Sequence, residues 1–439
     1  IITILTLGSF FLLSRALTGF ESYIEFRLII LFNFSFSLVI AAPVANCSTR
    51  YLADLLFSKR FDLGDGLMLG MLFILFCFGL PFASIYYIYF TEMSSAEKYQ
   101  AILNFMLICS IWHVSIFIST LKYYKVVTFS FLIGMLLSLL FVLQYSGFAS
   151  LAGMLSGFNI GLGFILASLI ALVFVEYPPS LQEIFRVVSY FYIYWEIPLG
   201  FFLYSIGLWA DKWIMWFAPE SVVLANGMRM YPDYDTATFV SYLTVIPAMA
   251  TFLLIQETYF YESYYQYFNG IQNHQNLEQI KKNHSNLNTT LFSVSRQLVL
   301  LQFFICVLAI VLAPFIFEFL GIGFIQLSMF RIGALGASFQ ILSLFTMVFI
   351  QYFDYRKGVL LIQAFFAISN ICLTLLTLHA GFPWYGYGFA ASSFLTFLLS
   401  LIVLEGYVSK LEYNTFVSKN VEEFKRLIPE KLETVEDED

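Results

Sequence analysis

The sequence predicts an all-α integral membrane protein with about 12 transmembrane helices in two six-helix lobes around a central cavity. Three observations carry that expectation. Of 439 residues, 60% are apolar and only 12% are charged, against about 25% charged in a soluble domain. Mean hydropathy is +0.81. The apolar residues fall into long runs, and a helix crosses the roughly 30 Å core of a bilayer with about 20 of them. None of the runs alternates as a barrel strand would.

The runs are 1–13, 27–46, 65–90, 99–120, 126–146, 150–175, 190–217, 236–258, 297–319, 327–352, 358–379 and 384–405. The first opens on Ile1 and ends before Ser14-Arg15. It is too short to span, and it lacks the basic start and small-residue cleavage site of a signal peptide. It reads as the outer end of a first helix whose natural N-terminus is missing. The next five runs complete an N-terminal lobe over 1–175. Pro178-Pro179 then stops a helix, and a C-terminal lobe over 176–405 follows. Inside it lies a polar stretch, 269–296, where Leu277, Ile280, His284, Leu287 and Leu291 share one helical face. This reads as a short amphipathic cytoplasmic helix, docked on the protein's own face or on a partner. Residues 406–439 form a cytoplasmic acidic tail, with six acids and one Lys in the last ten positions.

Orientation follows from Lys and Arg, which favour cytoplasmic loops. With the first helix starting inside, 16 of the 22 basic residues fall in the cytoplasmic segments. The exceptions are Arg15, Arg27, Lys98, Lys212, Arg229 and Arg331. Both termini are therefore expected in the cytoplasm.

Candidate functional residues are those a membrane tolerates badly. Glu196, Glu257, Glu318 and Arg331 fall in or near spans, where a charge costs about 2.5–3.5 kcal/mol on insertion scales. They either face a watery path or sit at span ends. Pro43, Pro81, Pro198, Pro247 and Pro314 also fall inside runs, and a Pro frees a backbone carbonyl and bends a helix. Glu196-Ile197-Pro198-Leu199-Gly200 joins an acid, a bend and a glycine. Trp209, Trp213 and Trp216 share a face and read as an interfacial aromatic belt, whereas Asp211 and Lys212 between them could line a pore mouth. The expected substrate path is thus Glu196, Asp211, Lys212, Glu257 and Arg331, with the bend at Pro198 and Gly200. Leu277, Ile280, Leu287 and Leu291 are the candidate docking face. His113 reads as a core histidine and Asp235 as a helix N-cap.

Other classes find no support. The sequence has no P-loop, no Ser/His/Asp or H-E-x-x-H constellation, and no basic stripe for nucleic acid. Its five Cys are scattered through apolar runs, without zinc-ligand spacing. No cofactor and no catalytic residue is expected. The 86 aromatics, 52 Phe, 28 Tyr and 6 Trp, serve mostly packing and lipid contact, although flat aromatic faces also stack on sugar rings.

The stretch Trp195 to Gly200, then Gly207-Leu208-Trp209-Ala210-Asp211-Lys212-Trp213, Tyr234-Asp235, Tyr242 to Pro247, Gln256-Glu257-Thr258 and Tyr261-Glu262 resembles the PelG family of Pel exopolysaccharide transporters. The resemblance is dense over about 190–280. It implies the multidrug/oligosaccharidyl-lipid/polysaccharide flippase superfamily fold and transport of a hexosamine-rich polysaccharide substrate across the plasma (inner) membrane of a bacterium. It also implies a complex with a cytosolic glycosyltransferase and a cyclic-di-GMP-sensing membrane protein in the lipid bilayer. A membrane scaffold that anchors a glycosyltransferase, and an ion-coupled small-molecule or lipid-linked sugar carrier, remain the alternatives.

Overall fold

The computed structural model describes residues 21–57, 64–121, 124–146, 151–177, 184, 186–321 and 323–414. The short run 1–13, Pro178-Pro179 and the tail beyond 414 lie outside them. The order is α1 (Glu21–Phe57), α2 (Gly64–Tyr89), α3 (Ser95–Leu121), α4 (Tyr124–Ser146), α5 (Leu151–Glu176), α6 (Val187–Ile193) and α7 (Glu196–Met215). A small hairpin of β1 (Val222–Val223) and β2 (Arg229–Met230) precedes α8 (Pro232–Leu243), α9 (Ile246–Ile255) and α10 (Tyr261–Gln272). Then come α11 (Leu277–Leu320), α12 (Phe324–Tyr352), α13 (Arg356–Ala380), α14 (Tyr387–Val408) and the short α15 (Leu411–Tyr413).

Among the described residues, ten helices are long and apolar enough to cross a membrane, and the bent pair α6–α7 makes eleven. Each apolar run from 27–46 onward therefore has its helix, and the chain is a multi-pass membrane protein. One expectation needs correction. The polar stretch 269–296 is not a separate helix. It holds the end of α10, a turn, and the first turns of α11, which continues unbroken for 44 residues. Asn276 caps α11 by accepting from the Gln279 N–H at 2.9 Å, and Gly321 closes it in the left-handed conformation (φ 63°), where glycine meets no steric cost. At 1.5 Å per residue α11 is about 66 Å long, twice the bilayer core, so its polar half stands outside the hydrocarbon.

The chain divides into two compact units. The first takes residues up to Phe239 together with Gln363–Phe389, and the second takes Val240–Ile362 together with the remainder from Ala390. α7 lies in the first unit. In the first unit α1 packs on α3 and α7, and α5 on α3 and α4. Four of these helices are tied by a buried polar chain. Tyr87 Oη donates to Asn33 Oδ1 at 2.7 Å, Asn33 Nδ2 donates to Asn104 Oδ1 at 2.8 Å, and Asn104 Nδ2 donates to Asn159 Oδ1 at 2.8 Å. Asn159 Nδ2 ends the chain on the Gln100 carbonyl. Each amide is satisfied, which is the condition for burying one at all.

In the second unit α10 lies along the polar half of α11, and α12 along its apolar half. Phe252 stacks on Phe345 with ring centroids 4.1 Å apart. Gln302 Nε2 donates to Ser338 Oγ at 2.8 Å, joining α11 to α12.

Candidate functional site

The chain breaks sharply at the predicted bend. α6 and α7 meet at 82°. Pro198 is the third residue of α7, so it has no N–H for the Tyr194 carbonyl, and its ring opposes a helix running back through that residue. The Tyr194 carbonyl instead accepts from the Ile197 N–H at 2.9 Å. The bend therefore falls at Tyr194-Trp195, just before Pro198, and Gly200 is buried one turn further on. α7 has 20 residues, about the length of the bilayer core. Glu196, its first residue, consequently stands at the edge of that core and not in mid-span. Its Oε2 is shielded from solvent with no hydrogen-bond partner. Around the elbow, Tyr190 Oη donates to Asp54 Oδ2 at 3.2 Å, Arg50 pairs with Asp54 at 3.4 Å, and the Arg50 guanidinium lies 5.1 Å over the Tyr194 ring.

The other end of α7 is closed. Asp211 is fully buried and Lys212 nearly so. Lys212 Nζ donates to both Asp211 oxygens at 3.1 and 3.2 Å and to the Leu208 carbonyl at 3.2 Å. Tyr234 Oη donates to Asp211 Oδ2 at 2.9 Å. The ammonium also lies 5.6 Å over Trp209 and 5.4 Å over Phe389. The expectation that Asp211 and Lys212 line a pore mouth is therefore corrected. They are enclosed and satisfied by each other, because two opposite charges desolvate more cheaply as a pair than singly.

The tryptophans are corrected with them. Trp213 stacks on Phe36 at 4.6 Å and Trp216 on Phe32 at 4.5 Å. Both thus face α1, not lipid, since Phe32 and Phe36 are one turn apart on its matching face. Asp235 is not an N-cap either. It sits in the first turn of α8 and reaches back to accept from the Tyr231 N–H at 3.3 Å and from Trp216 Nε1 at 3.0 Å. The charges of Lys212 and Arg27 act on it. Arg27 and Asp235 complete a balanced set of two cations and two acids that sequence reasoning missed. Only their spacing in three dimensions, 208 residues apart in sequence, reveals it. Beside them, burial and the Glu220 and Asp233 carboxylates push the Tyr231 phenol up, keeping it neutral.

In the second unit, Glu257 is exposed within a single π-helical turn, Gln256–Phe260, a distortion found mostly at functional positions. Gln256 Nε2 donates to Tyr352 Oη at 3.0 Å. Arg331 is exposed on α12, whose central residues from Gly333 to Ile350 are mostly buried. The docking face is corrected in part. Ile280, Leu287 and Leu291 are buried in the seam between α10 and α11, where Tyr267 packs on His284 at 5.7 Å. Leu277 alone stays exposed. His113 is fully buried and sets its ring edge-on to Phe117 at 5.3 Å.

Solved structures share this fold. An inward-facing multidrug resistance MATE family transporter of the MOP superfamily superposes with a TM-score of 0.63 at 12% identity, over 94% of this chain and 96% of that one. An outward-facing MATE transporter gives 0.65 at 12% identity, over 94% of each chain. A MOP superfamily transporter from Pyrococcus furiosus gives 0.57 at 12% identity, over 94% and 96%. At such identities the likeness is one of fold. No curated protein sequence matches the chain. The PelG family model, described as "Putative exopolysaccharide Exporter (EPS-E)", matches residues 1–416. With nearly the whole chain matched, and with the all-helical MOP transporter fold beneath it, this membrane transporter belongs to the PelG family.

Proposed function

We propose that the chain moves a hexosamine-rich, Pel-like exopolysaccharide across the bacterial plasma membrane, in complex with a cytosolic glycosyltransferase and a cyclic-di-GMP-sensing membrane protein. The family match over residues 1–416 supports the exporter part of this reading, and the polymer and the two partners extend it from the resemblance alone. Its path residues are Glu196, which is half-buried with one shielded oxygen, and the exposed Glu257 and Arg331, whereas Asp211 and Lys212 are enclosed. A polymer in transit needs weak, exchangeable contacts, since a tight site would stall it. The MATE neighbours suggest small-molecule efflux as the second reading.

The test compares secreted polymer per cell in Glu196→Gln and Arg331→Gln strains at matched protein abundance by immunoblot. Secretion should fall severalfold in each, with co-purification of the glycosyltransferase unchanged. Full secretion from both would remove these residues from the path. Full secretion without the chain would end the exporter reading altogether, leaving efflux of small molecules to be assayed.

A further inference from the structure

The α6–α7 elbow holds two features that the fold alone does not require. The first is an acceptor without a donor: Glu196 Oε2 is shielded from water and makes no hydrogen bond. Buried polar atoms are partnered in the great majority of cases, and Glu196 as a whole is only half-buried, so a modest turn of its side chain offers the orphaned oxygen to a donor from outside. The second is an aromatic surface. Tyr192 is 80% exposed and Trp195 49% exposed, one turn apart across the bend. Their neighbours Tyr51, Tyr190 and Tyr194 are used up in contacts with one another and with Arg50, but no ring contact occupies Tyr192 or Trp195 among the described residues.

A ring face beside a carboxylate suits one chemistry well. The C–H face of a pyranose covers apolar aromatic surface, while its O–H or N–H groups donate to the acid. Lipid acyl chains would cover the rings but leave the orphaned oxygen without a donor, and the one common headgroup that could donate to it, the ammonium of phosphatidylethanolamine, is the competing occupant. We propose that this elbow is a sugar-binding site at the edge of the membrane core, with Trp195 and Tyr192 as the stacking surface and Glu196 as the acceptor. The proposal rests on the exporter reading and adds where the polymer is held. An acid favours a charged donor over a neutral one, because charge-assisted hydrogen bonds are about twice as strong. The site therefore prefers an amino sugar with a free ammonium to its N-acetylated form.

The experiment uses the full chain in nanodiscs of phosphatidylcholine, whose headgroup has no N–H or O–H to donate, titrated calorimetrically with hexamers of glucosamine, N-acetylglucosamine or glucose. The glucosamine hexamer should bind most tightly. Glu196→Gln should weaken it about tenfold and change the N-acetylated hexamer by less than about twofold. Trp195→Ala should weaken both about tenfold, and Trp195→Phe should restore most of that loss. Melting temperatures confirm that each variant is folded, with Tyr192→Ala as a second probe of the ring surface should Trp195→Ala fail. Wild-type binding of every hexamer by Glu196→Gln and Trp195→Ala would overturn the site. So would an effect confined to lipid retention, which would make the elbow an interfacial anchor. Neither result touches the exporter reading, which falls only if polymer is secreted normally without the chain.

Discussion

Asp211 and Lys212 show what a sequence hides at the residue scale. A charged pair in an apolar run is legible, but its partners are not. Asp211 gains Tyr234 from 23 positions away, and Lys212 gains the Phe389 ring from the far end of the chain. The burial that made the pair look functional is also what seals it. Removing one charge leaves the other buried and uncompensated, which costs about 3–5 kcal/mol. Lys212→Met and Asp211→Leu should therefore each lower the melting temperature in detergent markedly, and the double replacement should recover much of the loss. Singles that melt like wild type would mean that the pair is hydrated. Gly207 makes a smaller claim of the same kind. A Cβ there would come within 2.8 Å of Phe366 Cδ1 and 3.0 Å of Ala367 Cα, and the Gly207 carbonyl accepts from Asn370 Nδ2 at 2.7 Å. Gly207→Val should cost about 1–3 kcal/mol by overpacking, read from the same melting curves.

Elements were easier to foresee than their joints. Hydropathy located every span from 27 onward, because length and apolarity are properties of local sequence. It placed the start of the run at 190, yet the chain turns through 82° only at Tyr194-Trp195, a position that Pro198 marks four residues downstream. It also cut α11 in two, since a polar face and an apolar run look like different objects although one unbroken backbone carries both. The heptad-like spacing of Ile280, Leu287 and Leu291 was real, but its partner is α10. Leu287 is completely buried, so Leu287→Asp puts a carboxylate where nothing solvates it and should destabilise the α10–α11 hairpin strongly. Leu277→Asp, at a position 64% exposed, should stay within about 0.5 kcal/mol of wild type. Protease susceptibility of the 273–276 turn reads the difference. If the two variants behave alike, the seam is not formed. Loss of glycosyltransferase from Leu277→Asp alone would mark that exposed residue as the partner contact.

At the scale of the whole molecule, topology is a question that charge counting poses and helix geometry sharpens. Consecutive spans must alternate sides, so the 216–231 hairpin and the 273–276 turn, separated by one crossing, lie on opposite faces of the membrane. From charge bias we expect the 273–276 turn inside, because 259–296 carries Lys281, Lys282 and Arg296 whereas 218–235 carries only Arg229. The extra length of α11 agrees with an aqueous exit there: of its 44 residues, about 24, or about 36 Å of helix, remain after the bilayer core is crossed. The structure also selects the reporters. Asn226 is buried and holds the Met228 N–H at 3.0 Å, so a cysteine there would be silent from either side, but Val223 in β1 and Asn276 at the turn are exposed. Cys47, Cys109 and Cys306 are buried, leaving Cys77 and Cys372 as the exposed thiols to replace. In that background an impermeant thiol reagent applied to spheroplasts should label Val223→Cys at once and Asn276→Cys only after the membrane is opened. The reverse order would invert the chain, turn the Glu196 elbow toward the outside, and make it a place where polymer leaves instead of one where it is received.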